Sequence, residues 1–276
     1  MPAAKVDYGL RLYHEVFKLD ALHFGWWEPG EALTIDNLRL AQQRYTQHLL
    51  DLIPAGTRRI LDVGCGTGAT AVQLQERGFA VECLTPDAYQ IEVFRQKRGG
   101  QIPLHQARFE DFAAAAPFDL VLMSESVQYV PPPALFAAAK RNLVPGGALL
   151  VSDYFRLQPT PYYKTCHVYR EFLDQAAAAG LALRHEQEIT ERVLPTLALG
   201  DQVYRGYVIP ILEIVAGLIE QKAPHIKRFV TFAWRKKIAK LQWYLYEKNR
   251  DKLDVDKFRA AMRYAMLRFE LPAATR

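Results

Sequence analysis

Cysteine is scarce in this sequence. Its 276 residues include three, Cys65, Cys83 and Cys166. They are odd in number, far apart and without CxxC spacing, which excludes a disulfide framework and a cysteine-based zinc site. No cluster with metal-ligand spacing occurs, so no metal is expected. The amino-terminal segment lacks a basic stretch followed by an apolar core, and no uninterrupted apolar run reaches the roughly 18 residues of a spanning helix. Neither a leader nor a spanning segment is expected, and a reducing cytoplasm is the expected compartment. Gly/Ser linkers and internal repeats are missing too, so composition marks off no independent domain. Neither sign of charge dominates: a formal net charge of +5 and a pI near 9.0 permit an anionic substrate or surface without requiring nucleic acid. Apolar residues, by contrast, are plentiful at 50%, enough for a large buried core.

What stands out is Arg59-Ile-Leu-Asp-Val-Gly-Cys-Gly-Thr-Gly-Ala69. Ile60, Leu61 and Val63 read as a short buried strand, the glycines as a turn, and Ala69 to Glu76 as a helix ended by Gly78. Without a Cβ, Gly64, Gly66 and Gly68 let the backbone turn sharply and let a ligand lie against main-chain N–H groups at the helix start. The spacing is G-x-G-x-G, with Asp62 two residues before the first glycine, and not the G-x-G-x-x-G of a dinucleotide site. An acid so placed repels a pyrophosphate and suits an amino group, which disfavours a nicotinamide oxidoreductase.

This segment resembles the first motif of the class I S-adenosylmethionine (SAM) methyltransferases. Val144-Pro-Gly-Gly147, a turn ahead of an apolar strand, is a second resemblance, far from the first. Asp20-Ala-Leu-His-Phe-Gly-Trp-Trp27 and Leu84-Thr85 place the chain nearest the glycine/sarcosine, tocopherol and cyclopropane synthase-like small-molecule group. The resemblance implies that Asp62, Gly64, Cys65, Gly66 and Gly68 hold the methionine end of SAM. It puts Thr85 at the ribose region, with Glu82 held back because one step along a strand turns a side chain to the other face. It also implies Phe109 with Glu110 or Asp111 at the adenine, and Ser124 facing the cofactor. Tyr8, Tyr13, His23 and Trp26 would form a lid over cofactor and acceptor, with Gln128 and Tyr129 on the acceptor side. Simple packing of these rings on the core is the alternative.

The remaining pattern alternates helix and strand. Leu38, Ala41, Tyr45, Leu49 and Ile53 recur at helical spacing, and strands are read at 79–85, 102–105, 118–123, 148–153, 181–190 and 264–270, with helices between them. The expected fold is α/β: a doubly wound, seven-stranded, mostly parallel Rossmann-like sheet, its last strand a late antiparallel edge. The expected division is an aromatic lid segment over 1–33, a SAM-binding core over 34–199, a helical cap over 200–258 and a closing strand over 259–276. The cap's first segment, Val208 to Ile219, is apolar almost all round and so calls for burial on several sides. Its second, Ile226 to Leu245, is amphipathic and basic. Residues 201–250 hold ten Lys or Arg against four Asp or Glu, a surplus of six positive charges. The readings of the cap are a solvated helix face, a partner or homodimer surface, and an apolar segment lining a pocket for a greasy acceptor while the basic face meets anionic lipid headgroups or a substrate phosphate; no nucleic-acid partner is expected.

The expected function is transfer of a methyl group from SAM, as cofactor, to a small-molecule acceptor, either an amine or a hydrophobic lipid or isoprenoid. Where the acceptor must lose a proton, Glu125, His23 and Tyr129 are the candidate bases. Where it is an alkene, aromatic faces would stabilise a carbocation. The alternative class is a SAM-binding protein without transfer, serving as a sensor or assembly partner.

Overall fold

The computed structural model describes residues 11–160, 163–222 and 249–273. Thr34 opens α1 (Ile35–Asp51) by accepting the Asn37 N–H at 3.1 Å, and Leu38, Ala41, Tyr45 and Leu49 are among the residues it buries. Strand and helix then alternate: β1 (Arg59–Val63), α2 (Ala69–Glu76), β2 (Ala80–Leu84), α3 (Ala88–Arg98), β3 (Leu104–His105), β4 (Phe118–Ser124), α4 (Pro132–Asn142), β5 (Leu143–Arg156), α5 (Tyr169–Ala178) and β6 (Ala182–Glu188). The last strand is β7 (Met262–Glu270), and the sheet order is β3-β2-β1-β4-β5-β7-β6. The first five strands run parallel, and β7 runs antiparallel to both its neighbours.

Neighbouring residues of each central strand serve opposite faces of the sheet. Ile60, Leu120, Leu122 and Leu150 pack with Tyr45 and Leu49 of α1 and Leu74 of α2. Leu61, Val121, Met123 and Val151 pack with Leu135 and Phe136 of α4 and Phe172 of α5. Burial on both sides explains why these strands read as continuous apolar runs.

The late strand is not at the edge. β7 lies inside the sheet and buries Met262, Tyr264, Ala265, Met266, Leu267 and Phe269, so it serves both faces and pairs on both sides. The edge falls instead to β6, whose Arg184, Glu186 and Glu188 are exposed, which suits a strand with one unpaired flank. Val144 to Gly147 is also not a separate turn: it lies at the head of β5, where the register against β4 shifts and Gly146 takes φ +82°.

The helical region begins at Thr190 rather than at residue 200. Helix α6 (Thr190–Val203) passes through a π-helical turn at Tyr204–Val208 into α7 (Ile209–Lys222), a continuous helix of 33 residues. Val193, Leu194 and Leu197 of α6 pack on the α1 side of the sheet. Beyond them the expected burial is not found, since Ile211, Leu212, Ile214, Val215, Leu218 and Ile219 of α7 are exposed. By length and composition this helix could cross a membrane, contrary to the expectation from uninterrupted runs. Charged residues break the run without breaking the helix: Asp201 and Arg205 pair one turn apart at 2.7 Å. Two short helices, α8 (Asn249–Leu253) and α9 (Val255–Ala261), lead into β7. Tyr8 and the basic amphipathic stretch 226–245 lie outside the described residues.

Candidate active site

The carboxyl ends of β1, β2 and β4 and the segment Asp20–His23 enclose a cavity of about 560 Å³. This is where open α/β sheets place their ligands. The loop after β1 follows a path that requires glycine: Gly64, Gly66 and Gly68 have φ +76°, +56° and +80°. A Cβ on Gly64 would stand 2.4 Å from Ser126 Cβ, and one on Gly68 would stand 2.4 Å from a ring carbon of Phe94. The first contact draws the loop against the end of β4, and the second seats the start of α2 on α3.

Asp62, at the end of β1, is only 3% exposed, and its Oδ2 is buried without a hydrogen-bond partner. Burial pushes its carboxyl up to about 7. A buried acid with a vacant acceptor atom is costly by itself, and a cation beside it would lower that cost. Across the cavity, Thr85 donates its hydroxyl to Gln90 Oε1 at 3.0 Å and accepts the Asp87 N–H at 3.3 Å. Phe109 is buried in a short 3-10 turn, and Glu110 pairs with Arg108 at 2.5 Å.

At the end of β4, Glu125 takes φ +52°, a strained value for a residue with a side chain. Its N–H is held by Ser152 O at 2.8 Å. Its Oε1 accepts the Phe24 N–H at 2.7 Å and the Tyr264 hydroxyl at 2.6 Å. Tyr45 Oη lies 2.8 Å from Tyr264 Oη, 2.6 Å from Ser152 Oγ and 3.1 Å from Ser124 Oγ, so a chain of hydroxyls backs the carboxylate. Burial raises the Glu125 carboxyl to about 7, against the lowering effect of its two hydrogen bonds. Beside it Asp153 is also pushed up, to about 8, by burial and by the charge of Glu125, while the Val127 and Tyr154 N–H groups bond to its oxygens.

A methyltransferase-domain profile matches residues 61–151, from the middle of β1 into β5. A ubiquinone biosynthesis O-methyltransferase of Xylella fastidiosa is 31% identical over 195 residues, 62% of this chain and 76% of that protein. The chain belongs to the class I SAM-dependent methyltransferases. Solved structures agree on the fold of this methyltransferase. A geranyl diphosphate methyltransferase in complex with GPP and sinefungin matches with a TM-score of 0.67 at 20% identity, covering 95% of this chain and 93% of that one. A cyclopropane synthase from Mycobacterium tuberculosis matches at 0.63 and 16% identity, covering 98% and 100%.

The methyl donor of the enzyme is SAM, and the residues present fit it. The vacant Asp62 Oδ2 offers an acceptor for an ammonium group, and Gly64 and Gly66 present backbone without a side chain to the cavity they line. Of the residues expected at the cofactor, Asp62, Gly64, Cys65, Gly66, Thr85, Phe109, Glu110 and Ser124 line this one cavity. Gly68 does not, because its open side is taken up by Phe94. Asp111 is exposed and also does not reach the cavity, so of the two acids Glu110 is the one that borders it.

The three candidate bases all border the cavity but differ in their surroundings. His23 has both ring nitrogens engaged, Nδ1 at 2.7 Å from Phe24 O and Nε2 at 3.1 Å from Thr46 Oγ1, and it stacks on Tyr45. Burial lowers its pKa to about 4, so it is a neutral wall of the site with no nitrogen to spare. Tyr129 is 69% exposed at the rim, where water competes for its hydroxyl. Glu125 combines a carboxyl raised to about 7 with an oxygen, Oε2, outside its bonds to Phe24 and Tyr264. Trp26 does not line the cavity: it is buried, its ring stacks on His48 at 3.9 Å, and its backbone N–H donates to Ala41 O. Gln128 is held outside by donating to Tyr154 Oη at 3.0 Å and accepting from Thr165 at 3.3 Å. Tyr13 lines a second, smaller cavity.

Sequence reasoning missed Tyr45, Ser152, Asp153 and Tyr264. Tyr45 read as one more apolar position of α1. Asp153 carried a signal, an acid ending an apolar strand as Asp62 does on β1.

Proposed function

We propose that the enzyme methylates a hydroxyl oxygen on a hydrophobic small molecule, with Glu125 as the general base. The observation that carries this reading is the hydrogen bonding of Glu125. Both its bonds fall on Oε1, so Oε2, on a side chain that borders the cavity, is the atom with capacity for an acceptor proton. A carboxyl raised to about 7 is matched to proton abstraction near neutral pH. Bound in the cavity, SAM supplies a methyl group already activated by the sulfonium charge. The chain's own work is to hold the acceptor in line, to keep the Glu125 carboxylate ionised through the Tyr264 hydroxyl and the Phe24 N–H on Oε1, and to take the acceptor's proton on Oε2 as its oxygen receives the methyl group. The relatives named ubiquinone biosynthesis O-methyltransferase support oxygen as the accepting atom and an apolar acceptor. The deciding experiment is an acceptor panel of catechols, alkyl amines and isoprenoid diphosphates, with S-adenosylhomocysteine as the readout. Turnover of catechols that is lost in Glu125→Gln supports the reading, and turnover of amines alone overturns it.

A second reading is methylation of an alkene carbon. It is favoured by the aromatic rings that border the cavity, Phe109 and Tyr129. Such a wall would stabilise a cationic product. Turnover of the isoprenoid diphosphates would favour it.

The exposed apolar surface of α7, followed in sequence by the basic stretch to residue 250, supports acceptor capture at an anionic bilayer surface.

A further inference from the structure

We infer that the second cavity, lined by Tyr13, Phe17, Leu19, Leu38, Leu199 and Val203 among others, is the seat of the acceptor's apolar tail, a short alkyl or prenyl chain. This rests on the reading of the acceptor as hydrophobic. The cavity measures about 170 Å³ and lies between the amino-terminal segment, α1 and α6. Its lining is almost wholly apolar and it opens to the surface, so an apolar chain can enter it and remove that lining from water. At roughly 30 Å³ for each water-sized group, it has room for about five or six carbons.

One stretch of chain divides it from the cofactor cavity. Phe17 and Leu19 line the apolar cavity, and Asp20, Ala21, Leu22 and His23 line the other. Farther along, consecutive amides hold the two sides apart. The Phe24 N–H goes to Glu125, and the Gly25 N–H goes at 3.0 Å to Thr196 Oγ1, itself part of the apolar cavity's wall. The candidate base and the apolar pocket are therefore anchored to neighbouring peptide groups. Tyr13 shows the same proximity, for the charge of Glu125, after burial, contributes to raising its pKa.

The partition also holds strain. Lys18, between Phe17 and Leu19, sits at φ +54°. A non-glycine residue at such an angle persists only where its surroundings hold it, and such sites cluster at ligand clamps. Here the ties are Leu19 N–H to Tyr13 O at 2.9 Å and Gln42 Nε2 to Ala21 O and His23 O at 3.2 and 2.7 Å. Displacing this segment lets a head group at Glu125 and a tail in the apolar cavity belong to one molecule, and the strain at Lys18 offsets part of the cost.

Val203 is the residue to vary. It lies on α6, is only partly buried, and lines the apolar cavity without bordering the cofactor cavity. Two probe series are measured on the full chain. Straight-chain primary alcohols from propanol to decanol are followed by calorimetry, and 4-alkylcatechols from methyl to dodecyl by calorimetry and turnover. Affinity is expected to rise about fourfold per methylene and then level off near five or six carbons. Val203→Trp should move the plateau to shorter chains and Val203→Ala to longer ones, with SAM affinity unchanged in both. Chain-length dependence that is absent, or identical in wild type and both variants, overturns the inference. The alcohols separate it from the proposed function. A plateau that responds to Val203 without catechol turnover keeps the tail site and removes the O-methylation reading. Catechol turnover indifferent to chain length does the reverse.

Discussion

The Tyr264 hydroxyl donates to Glu125 Oε1 at 2.6 Å, joining the last strand to the end of β4 across 139 positions of sequence. Only because β7 is inserted between β5 and β6 does its Tyr264 come within reach of a cavity built by the first half of the chain. Removing this bond tests how far the late strand tunes the site. The bond lowers the Glu125 pKa, so Tyr264→Phe should raise it further. The base must be ionised to act, so the rising limb of the pH–kcat profile should move to higher pH. Asp153, Tyr13, Tyr45 and Tyr154 also act electrically on Glu125 and remain in place. An unchanged limb in a folded variant would mean that Tyr264 only packs.

Glu125→Gln keeps the side-chain shape and removes the proton acceptor. Its kcat should fall by roughly 10²- to 10⁴-fold, the usual worth of a general base, and the limb near pH 7 should disappear. SAM binding measured by calorimetry should change little. A loss confined to KM would point to acceptor positioning instead.

Asp62→Asn should weaken SAM binding by one to two orders of magnitude, as expected for a lost charge-assisted partner. It should also alter stability in a pH-dependent way. The folded-state pKa of Asp62 is raised to about 7 from an ordinary 3.8. Between those values the ligand-free folded protein therefore holds a proton that the unfolded chain has lost. The contribution is fully present below about 4 and is lost as pH rises through about 7. Thermal melts should show the stability of wild type relative to Asp62→Asn falling by up to about 4 kcal/mol across that window. Saturating SAM should flatten the trend.

Gly68→Ala puts a Cβ 2.4 Å from the Phe94 ring at a backbone angle that L residues rarely adopt. Destabilisation of about 1–3 kcal/mol is expected from the clash, with strain added. Denaturant unfolding measures it, and Phe94→Leu in the same chain should recover part of the loss.

Sedimentation with phosphatidylglycerol vesicles should carry the protein down, and far less so with neutral phosphatidylcholine. Ile214→Asp with Leu218→Asp should abolish sedimentation, since both side chains are exposed on α7, while SAM affinity stays the same. Failure to sediment, together with elution as a dimer that these substitutions dissociate, would assign the face to self-association.

Most of the fold was legible because its signals are local. The helix at Ala69–Glu76 matched residue for residue, since the glycines before it and Gly78 after it bound it sharply. The Asp62 half of the site was legible for the same reason, with loop, strand end and acid lying within a few consecutive residues. Glu125 was read as one of three candidate bases. What separated it from His23 and Tyr129 was environment: two nitrogens already engaged in one case and open solvent in the other.

By itself, then, the sequence determined the alternation of strand and helix, the left-handed turns at Gly64, Gly66 and Gly68, and the acid at the end of β1, because each depends on residues near one another in the chain. Tertiary structure alone decided that β7 runs inside the sheet, that Tyr45, Ser152 and Tyr264 converge behind Glu125, and that one short segment walls off two cavities. These follow from contacts across more than a hundred positions, where a tyrosine on a buried face looks the same in sequence whether it fills the core or donates a hydrogen bond.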